Sequence, residues 1–268
     1  MSNTHRRVLG AGIAATAIAA LVAGTPAMAK DKNTPPMAGN GQGPLQSVQL
    51  LSFNDYHGHL EATDTYGAAR IPAGGAEHLA GALKSLRAEA PKGRSLTVAA
   101  GDLIGGSTFI SGAFHDEPSV ESLNAMGLDV SSVGNHEFDE GTDELLRMQK
   151  GGCHPVDGCY FPDEPYAGAD FPWLAANVVK KDDGKTLLPG TWVKNVDGMK
   201  IGFIGMTLEA TPTLVNPSGV STVDFKDEVE TANAQAAALK RQGVKSIVVL
   251  LHEGGYQTGG LSACKEAS

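Results

Sequence analysis

The sequence predicts an α/β fold, in which strands and helices alternate along the chain. Apolar segments of strand length are separated by segments with helical periodicity, such as the one in which Leu79, Leu83 and Leu86 fall on one face. Four of the apolar strands are followed directly by loops that contain Asp, Asn or His. Because the loops after the strands of an α/β sheet gather at one edge, we expect these polar loops to lie together.

The composition is that of an ordinary globular protein with an acidic surface. Apolar residues make up 41% of the chain and aromatic residues 6%, which suits one large domain or two small ones. The 34 glycines favour many tight loops close to a bound ligand. The net charge of −9 argues against a surface for nucleic-acid polymers, but it leaves small anionic substrates open if a metal supplies local positive charge.

The first 29 residues have the pattern of a secretory signal peptide. Arg6 and Arg7 precede an apolar run over residues 8–22, and an Ala-Met-Ala cleavage pattern follows at residues 27–29. The run is short for a membrane span, and the paired arginines favour twin-arginine export, although such pairs also occur in ordinary signals. We therefore expect a secreted protein, extracellular or periplasmic, with a mobile Pro/Gly/Asn-rich linker at residues 30–46.

Three cysteines in an exported chain indicate a disulfide. Cys153 and Cys159 enclose a turn-rich segment and are predicted to pair with each other. Cys264 is then left over, so that it either pairs between chains or has a partner beyond Ser268 in a longer parent.

The elements follow from periodicity and from Gly and Pro boundaries. Apolar runs predict strands at residues 47–53, 95–100, 128–133, 175–179 and 246–251, with a hairpin of residues 191–196 and 200–206 that turns at Asp197-Gly198. Amphipathic periods and caps predict helices between Gly75 and Pro91, near residues 118–126, from about Thr142, and at residues 227–242. Prolines and the predicted disulfide indicate a surface loop at residues 151–172, and residues 211–223 are predicted as a second loop.

Metal-ligand residue types follow four of these strands. Asp55 and His57 come after the first strand and Asp102 after the second, where Gly101 lets the backbone approach closely. Asn135 follows the third strand, and His252 ends the last one. Each signal alone is weak, since Asp-x-His and Gly-Asp are common in solvated turns and His252 could be a core histidine. Together, mixed oxygen and nitrogen donors at one sheet edge suit a borderline divalent metal, with Asp102 as the natural bridge between two ions.

The third of these loops also carries a pair suited to proton chemistry. His136 is a potential proton donor, and Asp139 could orient it. Glu137 is interpreted as structural, and His59, His78, His115 and His154 are interpreted as surface or packing residues because they lack matching contexts.

Four longer motifs surround these positions: Asn54-Asp55-Tyr56-His57-Gly58, Gly101-Asp102, Gly134-Asn135-His136-Glu137-Phe138-Asp139 and Leu250-Leu251-His252-Glu253-Gly254-Gly255. In these motifs the chain resembles the 5′-nucleotidase family of calcineurin-like metallophosphoesterases. The resemblance covers roughly residues 47–268 and implies a four-layer α/β/β/α sandwich with two divalent ions (Zn, Mn, Co or Fe) in a dinuclear centre. It implies hydrolysis of nucleotides by water attack on the phosphate.

The resemblance also implies a role for each residue. Asp55, His57 and Asp102 would hold the first metal. Asp102, Asn135 and His252 would hold the second. His136, oriented by Asp139, would stabilise the transferring phosphoryl oxygens or protonate the leaving group.

The chain departs from the family pattern at its end. The family has a further metal-binding motif, Gly-His-[Ser/Thr]-[His/Gln], and a separate C-terminal substrate domain, and Ser268 precedes both. We therefore expect residues 47–268 to be a metallophosphoesterase domain without its last strands, as an N-terminal fragment or a truncated product whose isolated chain is inactive or hydrolyses nucleotides poorly. The alternatives are a 2′,3′-cyclic-nucleotide phosphodiesterase, a nucleotide-sugar hydrolase, or a non-catalytic exported protein that binds metal or phosphate.

Overall fold

A computed structural model describes residues 46–62, 64–66 and 71–254 of the protein. The predicted signal peptide, residues 30–45 of the predicted linker and Cys264 lie outside the described residues. Within them, the strands are β1 Gln49–Phe53, β2 Asp64–Tyr66, β3 Ile71–Ala73, β4 Ser95–Ala100, β5 Val130–Ser132, β6 Trp173–Leu174, β7 Val178–Lys180, β8 Thr191–Val196, β9 Met199–Thr207, β10 Val223–Phe225 and β11 Ser246–His252. The α-helices are α1 Ala76–Arg87, α2 Phe109–Gly112, α3 Glu117–Met126, α4 Thr142–Lys150 and α5 Glu228–Arg241.

The first sheet is parallel and has the strand order β1-β4-β5-β6. One face of it is covered by α1, α3 and α4, whose apolar sides bury Leu83, Leu123 and Leu145. Ala99 of β4 and Trp173 of β6 point into the same core. The parallel order brings the carboxyl ends of all four strands to one edge, as the sequence predicts.

The second sheet has the order β11-β9-β8, with β9 and β11 parallel and β8 antiparallel to β9. Its inner face packs against the first sheet, where Leu96 and Val130 share a buried cluster with Phe203 and Leu250. Its outer face is covered by α5 through Leu239. Together the layers are helix, sheet, sheet and helix, which confirms the predicted α/β/β/α sandwich.

The two sheets approach each other closely near the end of β6. A Cβ atom added to Gly205 of β9 would lie 2.3 Å from the Cβ atom of Leu174. Any side chain at position 205 would therefore push the sheets apart, because interiors are packed too densely to absorb it.

The predicted strand at residues 175–179 is wrong in its position. The chain leaves the first sheet after Leu174 and crosses towards the second, and β7 pairs instead with β10. The crossing is held by Asn177, whose buried amide donates to the Thr207 carbonyl at 2.6 Å and accepts from the Thr207 N–H at 3.1 Å. A side chain thus satisfies backbone groups that strand pairing would otherwise satisfy.

Other predicted features are confirmed, and two small strand pairs are additional. The hairpin turns at Asp197 and Gly198, both with positive φ, as a tight two-residue turn requires. Cys153 and Cys159 form the predicted disulfide, with Cα atoms 4.5 Å apart. The sequence does not predict the β2–β3 pair. Nor does it predict β10, which begins at the end of the predicted loop 211–223. Within the described ranges, every helix falls short of the length and apolar character needed to cross a bilayer.

Candidate metal centre

Asp102 is the centre of a cluster at the carboxyl ends of β1, β4, β5 and β11. Its carboxylate is buried, with Oδ2 3.1 Å from Nε2 of His252 and 3.6 Å from Nε2 of His57, and Oδ1 accepts the backbone N–H of His136 at 3.0 Å. Burial raises the pKa of Asp102, but the hydrogen bonds from His252 and His136 outweigh it and hold the pKa below its usual value. An ionised carboxylate with imidazoles on two sides has the donor types that suit a divalent transition metal.

Two overlapping groups of ligand atoms meet at Asp102. In one, His57, Asp102 and His136 can offer atoms within 4.8 Å of one another, and in the other Asp55, Asp102 and His252 can do so. His57 Nε2 also lies 3.8 Å from Asp55 Oδ1. The structure therefore gathers the other three predicted Asp and His ligands, Asp55, His57 and His252, around Asp102, the predicted bridge.

Two of these histidines, His57 and His252, have one ring nitrogen hydrogen-bonded to the backbone. Nδ1 of His57 donates to the Gly105 carbonyl at 2.6 Å, and Nδ1 of His252 donates to the Ala100 carbonyl at 2.8 Å. This pairing leaves Nε2 of each ring turned towards Asp102, and it is the arrangement that orients histidine as a metal ligand. Burial lowers the pKa of His252, but Asp102 outweighs it and raises the pKa to about 9, so a divalent cation would displace a proton there.

The backbone at the cluster is strained. Asp55, His57 and Asp102 have φ values of 53°, 45° and 52°, in the left-handed region that few residues other than glycine adopt. The Gly101 carbonyl holds the Asp55 N–H, and the Asp102 carbonyl holds the His57 N–H, each at 3.1 Å. Strain of this kind is concentrated at functional sites.

Glu137 ties together the loops that carry Asp102 and Asn135. Its buried carboxylate accepts the backbone N–H groups of Asp102 at 2.9 Å and Leu103 at 2.8 Å, and also that of Gly134. Burial, together with the charge of Asp102, raises the pKa of Glu137 to about 7, although the three N–H groups favour the charged form. Glu137 is thus structural, as predicted.

We expect Glu137→Gln to loosen this junction. The amide NH₂ group would face a backbone N–H where an oxygen now accepts, and a buried donor left without a partner costs about 1–3 kcal/mol. Chemical denaturation should show a loss of that size, and metal titration should show weaker binding. The exposed Glu89→Gln is the matched control, and equal stability of the two variants would contradict the role.

His136 and Asp139 form the predicted pair. Nδ1 of His136 lies 2.8 Å from Oδ2 of Asp139, which also accepts the Gly106 N–H at 3.0 Å. Burial lowers the pKa of His136, but the hydrogen bond and charge of Asp139 outweigh it and raise the pKa. The His136 ring meets that of His57 edge to face, with centroids 4.9 Å apart, so the pair borders the cluster.

The metal-ligand roles stay predictions, and the structure adds one residue, Asp116, that the sequence does not single out. Asn135 lies in the loop after β5, next to the pair, and its role as a ligand stays a prediction. The sequence gives no indication of the role of Asp116. Its buried carboxylate accepts the Gly105 N–H at 2.9 Å and the Ser111 hydroxyl at 2.6 Å, and so fixes the loop that orients His57. An isolated Asp between two helices carries no signal for this role.

The chain is similar to several known proteins, although no family model matches it. It is 41% identical over 217 residues to the endonuclease YhcR of Bacillus subtilis (79% of this chain, 17% of the relative). It is 42% identical over 183 residues to an uncharacterised protein from the pqq-V 5′ region of Acinetobacter calcoaceticus (63% and 87%). It is 29% identical over 217 residues to the 5′-nucleotidase of Vibrio cholerae (79% and 34%).

Two solved structures share the fold. The NAD nucleotidase of Haemophilus influenzae superposes with a TM-score of 0.62 at 28% identity, covering 77% of this chain and 34% of that one. The 5′-nucleotidase precursor of Thermus thermophilus gives a TM-score of 0.61 at 29% identity, covering 76% and 37%. The four-layer sandwich and the Asp/His cluster at its strand ends define a calcineurin-like metallophosphoesterase. Within that class, the chain belongs to the 5′-nucleotidase family.

The chain matches only a part of two of these three relatives. The chain spans 17% of the Bacillus endonuclease and 34% of the Vibrio nucleotidase, whereas it spans 87% of the Acinetobacter protein. Regions outside the match therefore contribute most of the two longer relatives.

Proposed function

We propose that the protein hydrolyses phosphate esters of nucleotides, in the manner of a 5′-nucleotidase, by water attack on the phosphate at a dinuclear metal centre. The observation that carries the proposal is the buried Asp102 carboxylate, shared between Nε2 atoms of His57 and His252 whose Nδ1 atoms are held by carbonyls. Family membership supports the reaction class. On this proposal Asp55, His57 and Asp102 hold one ion, and Asp102, Asn135 and His252 hold the other.

The donor set fits divalent ions. Carboxylate, amide and imidazole donors suit Zn, Mn, Co and Fe alike. When bound, two such ions would polarise the phosphoryl oxygens and lower the pKa of a water to about 7. The chain's own contribution is to hold the donors at fixed positions, through Glu137 on one side and the loop of Gly105 on the other.

His136 supplies the proton chemistry on this proposal. Asp139 accepts from Nδ1 and fixes the ring, so the opposite nitrogen, Nε2, is the one available to a substrate. In the protonated imidazole, Nε2 can donate to a phosphoryl oxygen or to the leaving oxygen. The Gly106 N–H holds Asp139 in turn, so the pair is positioned before substrate binds.

The proposal extends to the organisation of the chain. Residues 47–268 form the metallophosphoesterase domain, residues 1–29 the signal peptide and residues 30–46 a linker. The Cys153–Cys159 disulfide supports an oxidising compartment outside the cytoplasm. Substrates are small nucleotides rather than nucleic-acid polymers on this proposal, because the acidic net charge of −9 disfavours the binding of a polyanion.

A second candidate is phosphodiester hydrolysis. It is favoured by the 41% identity to a relative named as an endonuclease. The same centre could in principle cleave a diester, because in-line displacement at phosphorus uses the same metal chemistry.

Metal-dependent release of phosphate tests the proposal. The chain would be treated with a chelator, reloaded with Mn²⁺ or Co²⁺, and assayed on AMP and on bis-p-nitrophenyl phosphate. We expect phosphate release from AMP that requires the added metal and is abolished by EDTA. Preference for the diester would favour the second candidate. Two bound metal equivalents with no turnover of either substrate would contradict both.

A further inference from the structure

A second group of metal-ligand side chains lies beside the His136–Asp139 pair and includes neither residue. His115, Glu140, Glu144 and His154 can each offer one ligand atom within 4.8 Å of the others. The first three of them line a pocket whose wall also contains His136 and Asp139. This group, here called the outer cluster, is thus separate from Asp102 but adjacent to the proposed catalytic pair.

His115 is the centre of the outer cluster. Its Nδ1 lies 3.1 Å from Oε2 of Glu140, and its Nε2 lies 2.9 Å from Oδ2 of Asp157. Nδ1 of His154 lies 3.4 Å from the same Asp157 oxygen, and the two imidazole rings are stacked with centroids 3.8 Å apart. The Asp157 N–H donates to Nδ1 of His154 at 3.1 Å, so a metal ion bound to Nδ1 would replace this hydrogen bond. Two imidazoles and several carboxylates therefore converge.

The fold holds three of these donors in place, each from a different segment of the chain. His115 has a left-handed backbone, with φ 48°, just before α3. The Arg147 guanidinium donates to the Glu144 carboxylate at 2.7–3.0 Å, and His154 lies in the loop closed by the Cys153–Cys159 disulfide. The side chains of His115, Glu144 and His154 are only 17%, 10% and 13% exposed. Donors fixed and partly buried in this way need little reorganisation to bind an ion.

The charge balance of the outer cluster favours a cation. Glu140 and Asp157 both approach the single imidazole of His115, which cannot neutralise two carboxylates. The guanidinium of Arg147 contacts Glu144, but it also binds Glu117 at 2.6 Å and is shared between them. A divalent ion would supply the missing positive charge.

We propose that the outer cluster binds one zinc-like divalent transition metal, through His115, His154, Glu140 and Glu144, with Asp157 able to replace one carboxylate. Two imidazoles with carboxylates are a donor set that zinc takes readily. The ion would join the disulfide loop to the start of α4 and to the pocket wall beside His136. The proposal does not depend on hydrolysis at the Asp102 cluster.

Metal titration of matched variants tests the proposal. Chelator-treated protein would be titrated with Zn²⁺ by calorimetry, with bound metal counted by mass spectrometry, for the wild type, His154→Ala and Glu140→Gln. We expect each variant to lose one equivalent, or to bind it at least tenfold more weakly. His78→Ala is the control, because His78 is 70% exposed on α1 and lies outside the outer cluster. It should bind as the wild type does.

Two further measurements separate the outer cluster from other causes. Thiol titration of His154→Ala checks that the disulfide is intact, and Glu140→Gln leaves that loop untouched. Asp102→Asn should keep the outer equivalent while the ions of the proposed centre are lost, so failure of the proposed function would not remove this signal. Equal stoichiometry and affinity in the wild type, His154→Ala and Glu140→Gln would overturn the proposal and leave the outer cluster as an ion-pair network.

Discussion

Asp102→Asn is expected to remove both ions of the proposed centre and nearly all hydrolysis. The substitution keeps the size of the side chain and an oxygen that can accept the His136 N–H, but it removes the charge that faces His57 and His252. Loss of an outer partner of a metal ligand costs about 10–100-fold in affinity or activity, and loss of the bridge itself should cost more. Metal counting after desalting and phosphate release from AMP measure the two effects.

The control for this variant is Asp170→Asn, which makes the same chemical change at an exposed position. It should retain the wild-type metal content and activity. If Asp102→Asn keeps two equivalents of the proposed centre at wild-type affinity, Asp102 is not the bridge.

His136→Ala is expected to lower turnover by about 10²–10⁴-fold, the usual contribution of a positioned general acid or base. Metal content should stay at the wild-type value, because His136 is proposed to face the substrate. The test separates two roles, because a ring nitrogen of His136 also lies within 4.8 Å of ligand atoms of His57 and Asp102 and could bind metal instead. Metal counting and the turnover number would be measured on the same preparation.

Asp139→Asn is the companion variant. It keeps His136 but replaces the carboxylate that holds Nδ1 at 2.8 Å. We expect a smaller loss of turnover, about 10–100-fold, because an orienting partner is altered and the proton donor remains. Loss of metal from His136→Ala comparable to that from Asp102→Asn would show that His136 is a ligand.

The sequence predicts the longer strands of the fold well, because each carries its own local signal. The bounds of β4 and β8 agree with the structure, since apolar residues fill most of β4 and the Asp197-Gly198 turn marks the end of β8. The strand β6 has only two residues, and its existence depends on pairing with Ser131 and Ser132, far away in the chain. The crossing at Asn177 depends on Thr207 in the same way. Local sequence patterns carry no information about partners that are distant in the chain.

The same distinction applies to the site. Strand ends followed by Asp, Asn or His are visible in the sequence, and the structure brings the four predicted Asp and His ligands together. The groups that orient them, such as the carbonyls of Gly105 and Ala100, are backbone atoms with no sequence signature. The sequence does not predict the outer cluster for another reason: neither His115 nor His154 lies in a recognisable motif, and the two rings meet only when two distant loops fold together.

The close contact of the two sheets has a consequence for the evolution of the site. His252 extends from the second sheet, whereas Asp55, His57 and Asp102 follow strands of the first. The separation of the sheets therefore sets the distance between the two halves of the proposed centre. Gly205 and Leu174, which meet inside the sandwich, therefore help to set the spacing of the proposed centre although neither belongs to the Asp102 cluster. A substitution that changes the core volume at this contact would also change the spacing of the proposed metal ligands, so selection would act on both together.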